Sequence, residues 1–319
     1  MPEKTTRRSF VKGSLAASAG VTLGMSLEER VLLAQAAKAG ETKGPARPAG
    51  AKSTLPVGKI GDRKMSRLIL GGNLIGGWAH ARDLLYVSAL LKHYFTEEKI
   101  LETLAIAEAH GINTVNTHPD ATKVIQRYRR ECKGKMLWMV QAFPNPANEL
   151  ASILESINAG ADAVYIQGGI GDQLVREGKG KVIGKALELI QSRALPAGVA
   201  GHDLDVIVAC RKAKLEPDFY VKTLHCHDYW SGPDRKGRDN SWCPQPEKTI
   251  ETMRAIRKPW VAYKVMAAGA IHPRKAFRHA FENGADFVLA GMFDWQIAED
   301  VKIASAILAR LKRPRPWRG

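Results

Sequence analysis

The densest run of ligating side chains in the sequence is His225-Cys226-His227-Asp228. In an extended segment, His-x-His turns two imidazoles to one side, a spacing suited to a divalent metal ion. His118, Asp228 or Asp294 could add ligands, and His202 could lend a third nitrogen. An open position would then hold an activated water or a sugar hydroxyl. The same histidines equally suit a loop that grips substrate through hydrogen bonds. Cys226 points away from the pair in such a segment. A loop disulfide with Cys243 and two free thiols are both compatible with the spacing.

Two lysines make a second constellation: Lys222 in YVKT and Lys264 in YKVMAAGAI. Adjacent lysines depress each other's pKa, and a neutral amine attacks carbonyls to form a Schiff base. They could instead bind substrate as cations or pair with Asp294. Glycine-containing turns in AAGAIHPRK and GADFVLAGMF stand before helical runs, where barrels often hold a phosphate. Trp78, Trp230, Trp242 and Trp295, with Tyr229, fall in polar connections, where flat amphipathic rings stack on sugars or pack as lids.

These groups need a scaffold, and one repeated joint identifies it. AHGINTVN, NAGADAVYI and ENGADFVLA each read as a helix end, a glycine and then a β-rich run. Glycine there takes the left-handed cap and turns the chain into a buried strand. The whole chain yields eight strand candidates: 67–72, 112–117, 136–142, 162–167, 197–201, 218–223, 260–266 and 286–292. Amphipathic runs separate them. Thr96 caps one, and Pro246 and Pro273 open two others. Eight regular units without a Gly-rich fingerprint after the first strand predict a closed α/β (β/α)8 TIM barrel rather than a doubly wound sheet. TLPVGKIGDRKMSRL, before the first strand, reads as two short extended pieces about Gly61-Asp62, a hairpin that could plug the barrel floor. The connections 73–95 and 224–246 are long enough to be binding loops.

Barrel strands alternate between interior and helix layer. A charge is costly against the helix layer, so Lys222 and Lys264 are predicted to face inward. Phe219, Val221, Val261, Tyr263 and Val265 then face outward. Each strand thereby ends in a polar inward group: Asn73, Asn116 or His118, Gln141, Gln167, His202, Lys222, Lys264 and Asp294. Barrel enzymes place their chemistry at that rim. Lys222, Lys264, His202 and Asp294 are the candidate catalytic groups. Asn73, Asn116, Gln141, Gln167, Trp230 and Trp242 are the candidate substrate contacts.

KIGDRKMSRLILGGNLIGG and FTEEKILETLAIAEAHGINTVNTH resemble the N-terminal hairpin, first strand, first helix and second strand of the aldo/keto reductases. The motif-level likeness covers residues 57–118. It implies a barrel and NADPH-dependent carbonyl reduction by an Asp, Tyr, Lys and His set. By position, Asn116 stands where the family has its Asp, no Tyr follows within a few residues, and Gln141 and Gln167 replace the Lys and His. A reductase built here would need a displaced proton donor, with NADPH near the seventh and eighth barrel strands. The two-lysine layout also looks like that of class I, deoxyribose-phosphate-type aldolases.

Composition narrows the function further. At 319 residues, 45 % hydrophobic and with four cysteines, the chain is neither disordered nor a disulfide scaffold. All but three of its +16 formal charges belong to residues 1–67 and 310–319, so the body offers no basic groove for nucleic acid. TTRRSFVKG, a weakly apolar run and small residues near Ala39 resemble a twin-arginine export signal over residues 1–39. Residues 40–56 read as a flexible linker, 57–311 as the barrel and 312–319 as a solvated basic tail. No apolar stretch is long enough to span a membrane. The expectation is a periplasmic or otherwise exported enzyme, moved by the twin-arginine machinery. It would act on a small sugar-like or carbonyl compound by metal-assisted or acid/base chemistry, as an isomerase or lyase. NADPH-linked reduction, Schiff-base chemistry on Lys222 and non-catalytic sugar binding are the alternatives.

Overall fold

Strand pairing, more than any local motif, organises this chain. The computed structural model describes residues 55–81, 83–144, 150–232, 240–313 and 315–319. The expected leader and most of the linker lie outside the described residues. β1 (Val57–Ile60) and β2 (Arg63–Ser66) form the antiparallel hairpin, turning at Gly61, whose φ of 60° needs no Cβ penalty. Eight parallel strands follow: β3 (Leu68–Gly71), β4 (Thr114–Thr117), β5 (Leu137–Ala142), β6 (Ala163–Ile166), β7 (Ala197–Gly201), β8 (Phe219–Thr223), β9 (Trp260–Tyr263) and β10 (Phe287–Gly291). They close in chain order, with β10 hydrogen-bonded to β3, giving the (β/α)8 barrel.

The helical layer comprises α1 (Val87–Tyr94), α2 (Glu97–Ala109), α3 (Thr122–Glu131), α4 (Ala151–Asn158), α5 (Gly168–Arg176), α6 (Gly180–Ser192), α7 (Leu204–Lys212), α8 (Pro246–Ala255), α9 (Pro273–Glu282) and α10 (Ile297–Ala309). Their starts follow the expected signals. Thr96 accepts from the Lys99 backbone N–H, with Glu97 and Glu98 in the first turn of α2. Pro246 and Pro273 open α8 and α9. Among the described residues, no helix is long and apolar enough to cross a membrane.

Two apolar layers result. Leu68, Leu70, Val115, Trp138, Val140, Tyr220, Trp260 and Val288 face the helices. Ile69, Met139, Tyr165, Phe219, Val221, Val261, Phe287 and Leu289 fill the interior, with Ile60 and Met65 of the hairpin beneath them. The plug is thus as expected. The inward and outward assignment for β8 and β9 is the reverse of the expectation: Phe219, Val221, Val261 and Tyr263 point in.

The C-terminal segment also departs from the expected solvated tail. Arg315 is 1 % exposed and Asp286 is fully buried. Asp286 accepts from Arg313, Arg315 and the backbone N–H of Trp260 and Arg318. Trp317 lies between the guanidinium groups of Arg67 and Arg313, at 3.6 and 3.4 Å from its ring centroid. The basic residues close the floor because a buried carboxylate and freed strand-end carbonyls need donors.

Candidate active site

β7 runs out at Gly201, and His202 continues its inward row at the mouth. The His202 ring donates through Nδ1 to Asp172 Oδ2 at 2.7 Å. Asp172, on α5 and 6 % exposed, also accepts the backbone N–H of His202 and of Asp203, each at 3.0 Å. A carboxylate on Nδ1–H leaves Nε2 as the basic nitrogen and fixes the ring plane. Gln167 sets up this pair from below. Its Oε1 caps α5 by accepting from the Ile170 N–H at 3.0 Å, which orients the helix carrying Asp172.

Tyr263 closes the other side of His202, with ring centroids 5.5 Å apart. A Cβ at Gly168 would collide with Tyr263 Oη and come within 3.0 Å of His202 Cε1. The tyrosine hydroxyl therefore stands at the edge of the imidazole. It is buried and has no hydrogen-bond partner among the described residues. Burial pushes its pKa well above the ordinary tyrosine value, so it stays a proton donor.

Lys264 comes next in the chain, and its backbone takes φ 55°. A left-handed residue without glycine is strained, and it ends the alternation that β9 would otherwise continue. That break carries the Lys264 side chain over the rim. Its Nζ lies 3.6 Å from the Trp242 ring centroid and 3.5 Å from His80 Nε2. Trp242 in turn packs on His202, at 4.9 Å between centroids. Its indole N–H is buried and has no partner among the described residues.

A neutral polar row lines the opposite wall. Tyr165 donates to Asn116 Oδ1 at 3.1 Å, and Asn116 Nδ2 donates to the Met139 carbonyl. Gln141 Nε2 reaches Asn116 Oδ1 and Asn73 Oδ1, each at 3.4 Å. The structure therefore brings together His202, Lys264, Trp242, Asn73, Asn116 and Gln141 around the mouth.

Other expected site residues lie elsewhere. Lys222 faces the helix layer, 1 % exposed, between outward Tyr220 and Leu224. Its ammonium donates to the His202 carbonyl at 2.7 Å and to Thr223 Oγ1 at 2.6 Å. Outward burial is tolerated because the long stem lets the head reach strand-end oxygens. Desolvation lowers its pKa, yet the amine is walled off from the mouth. Asp294 is held outside the barrel by Tyr94 Oη at 2.6 Å and Lys99 Nζ at 3.3 Å. Trp230 is 62 % exposed.

The four expected metal ligands do not converge. His225 is 1 % exposed and uses both nitrogens on backbone: Nε2 accepts from the Trp242 and Cys243 N–H, and Nδ1 contacts the Cys226 carbonyl. Burial pulls its pKa down to about 4. His227 Nε2 bonds the Cys243 carbonyl at 2.7 Å. Asp228 is exposed and pairs with Lys275. His118 packs between Trp78 and Phe143, and its Nδ1 accepts from the Asp120 N–H. Among the described residues, no three His, Cys, Asp or Glu side chains are grouped to hold a metal ion. All four cysteines are free thiols.

The residues missed from the sequence are Asp172, Tyr263 and His80. Tyr263 was hidden by the parity anchored on Lys264. The small inward residues Gly198 and Ala200 of β7, facing bulky Phe219 and Val221, carried the contrary signal.

Comparison with known proteins supports the fold. No protein-family model matches the chain, and no curated protein matches it by sequence. A solved Pseudomonas aeruginosa structure provisionally assigned as an aldo-keto reductase is 17 % identical, with a TM-score of 0.56 over 79 % of this chain and 94 % of that one. A second, of the same description and organism, is 17 % identical, with a TM-score of 0.57 over 81 % and 98 %. At such identity the likeness establishes the shared barrel alone.

Proposed function

We propose that this chain is an exported barrel enzyme of isomerase or lyase type that moves a proton on a small polar carbonyl compound. The observation that supports it is the Asp172–His202 pair beside a tyrosine hydroxyl that has no acceptor among the described residues. His202 Nε2 would take a proton from the carbon next to the carbonyl. The C–H electron pair moves toward the carbonyl oxygen, and Tyr263 gives that oxygen its proton. His202 returning that proton to the former carbonyl carbon, while Tyr263 takes up the proton of the hydroxyl on the deprotonated carbon, completes an isomerisation. Where the carbon on the far side of the deprotonated one carries a leaving group, the carbonyl re-forms as its oxygen returns a proton to Tyr263, and the expelled group takes the proton from His202, which completes a lyase step. Lys264 would stabilise the developing charge, and Asn73 and Gln141 would hold substrate hydroxyls.

The test is solvent exchange. Short hydroxy-aldehydes and hydroxy-ketones are incubated in D2O and their α-proton signals followed by NMR. We expect wild-type protein to exchange them at least about 100-fold faster than His202→Asn and Tyr263→Phe. A wild-type rate equal to that of His202→Asn across the panel sinks the proposal. Export rests on Arg7-Arg8 and the run behind them. Fusing residues 1–56 to a folded reporter, with Arg7→Lys/Arg8→Lys as the control, tests it.

NADPH-linked reduction fits less well. The helix starts after β9 and β10 would have to receive the diphosphate. His272 already caps α9 by accepting the Arg274 N–H, and α10 opens with Glu299 and Asp300. Glu299 there opposes a phosphate, and Asp300 is buried and unable to contact one.

A further inference from the structure

Resting on the acid–base reading above, we infer that Trp242 is a second donor to the reacting oxygen and that the His225-x-His227 pair holds it there. The substrate class is then a carbonyl whose oxygen becomes an oxyanion, as in an enediolate. Among the described residues, two donors on rings packed against His202 are buried without an acceptor: Trp242 Nε1 and Tyr263 Oη. They belong to rings that pack against one imidazole, at 4.9 and 5.5 Å between centroids. Two unsatisfied donors beside a carboxylate-oriented base are what an oxyanion requires, and they are already desolvated. Lys264 adds positive charge on the same side, 3.6 Å from the Trp242 ring centroid.

The histidine pair gains its explanation from this. His225 Nε2 accepts from the Trp242 N–H at 2.9 Å and the Cys243 N–H at 3.1 Å, so its proton is on Nδ1, toward the Cys226 carbonyl. His227 Nε2 carries a proton and donates it to the Cys243 carbonyl. Three bonds thus fasten the two residues that set the indole against His202. The spacing that suggests a metal works here as a backbone clamp. His225 and His227 touch no reacting atom and are positioning residues.

The test compares two probes by titration calorimetry: glycolohydroxamate, a planar enediolate mimic, and glycolamide, its neutral carbonyl counterpart. Wild-type protein is expected to prefer the hydroxamate by about 100-fold or more. Trp242→Phe should lose at least about tenfold of that preference, and Tyr263→Phe should do the same. His227→Gln should lower the preference in the parent but not further in Trp242→Phe. Hydroxamate binding by Trp242→Phe equal to wild type overturns the inference, as does a wild type without preference. A preference that persists in a protein without proton exchange removes the acid–base reading and leaves the oxyanion site standing. Should the His227 variant not fold, long-range proton–nitrogen spectra of the wild type decide the clamp. His225 is expected as the Nδ1–H tautomer, unmoved by added zinc; zinc-induced shifts in both histidines overturn it.

Discussion

Asp172 holds His202 twice, by the Nδ1–H of its ring and by its backbone N–H, at 2.7 and 3.0 Å. Lys222 holds the same residue from behind through its carbonyl. The imidazole is thereby fixed at both ends of its own backbone and at one ring nitrogen, which is the support a general base needs.

Asp172→Asn should expose the importance of that hold. The amide keeps an oxygen for the backbone donors but no longer favours the Nδ1–H tautomer. Proton exchange should fall by about 10²–10⁴-fold. Urea unfolding should show a smaller loss of about 1–3 kcal/mol, from weakened charge-assisted bonds. An exchange rate unchanged within twofold would contradict this role.

Gly168→Ala tests the closeness of Tyr263 to His202. Alanine in a helix normally stabilises by up to about 1 kcal/mol over glycine. Here the added Cβ meets Tyr263 Oη and His202. We expect a net destabilisation of about 1–3 kcal/mol. The cost should shrink in a Tyr263→Phe background, where the hydroxyl is gone. A double-mutant cycle in urea measures it, and simple additivity would count against the packing described.

Arg315 is expected to matter for stability far more than its place near the terminus suggests. Arg315→Ala leaves the buried Asp286 carboxylate short of one charged donor. Breaking such a pair from one side costs about 3–5 kcal/mol. Equilibrium unfolding of this variant, beside Lys312→Ala as an exposed-charge control, checks it.

Asp300 should tilt the pH dependence of stability. Burial, with Glu299 nearby, raises its pKa from 3.8 to about 7. The folded protein keeps this proton while the unfolded chain releases it above pH 3.8. The stabilising effect is therefore complete below that value and is lost as pH rises toward 7. The loss is on the order of 3 kcal/mol. Asp300→Asn cannot ionise and should keep its stability through that range. Parallel slopes for the two proteins between pH 4 and 7 would refute the assignment.

Much of this molecule was legible without coordinates. Glycine-terminated joints such as AHGINTVN and NAGADAVYI, capped helix starts and strands of regular spacing determine a barrel, because each local choice agrees with the same repeating unit. The hairpin about Gly61-Asp62 and the inward row of Asn116, Gln141 and His202 follow from alternation alone. The face on which each end of a strand falls did not. Lys222 looks inward on the argument that charge avoids the helix layer, yet its flexible stem delivers the ammonium to carbonyls at the strand end. Lys264 reaches the mouth through a left-handed backbone twist that no residue type announces. The roles of His225 and His227 depended on which carbonyls and N–H groups the loop from Asn240 to Cys243 brings back to them. Contacts between residues far apart in sequence, Asp172 with His202 and Asp286 with Arg315, exist only once the chain has closed. For that reason the chain's own order specified the scaffold, and tertiary closure selected which of its polar groups face one another.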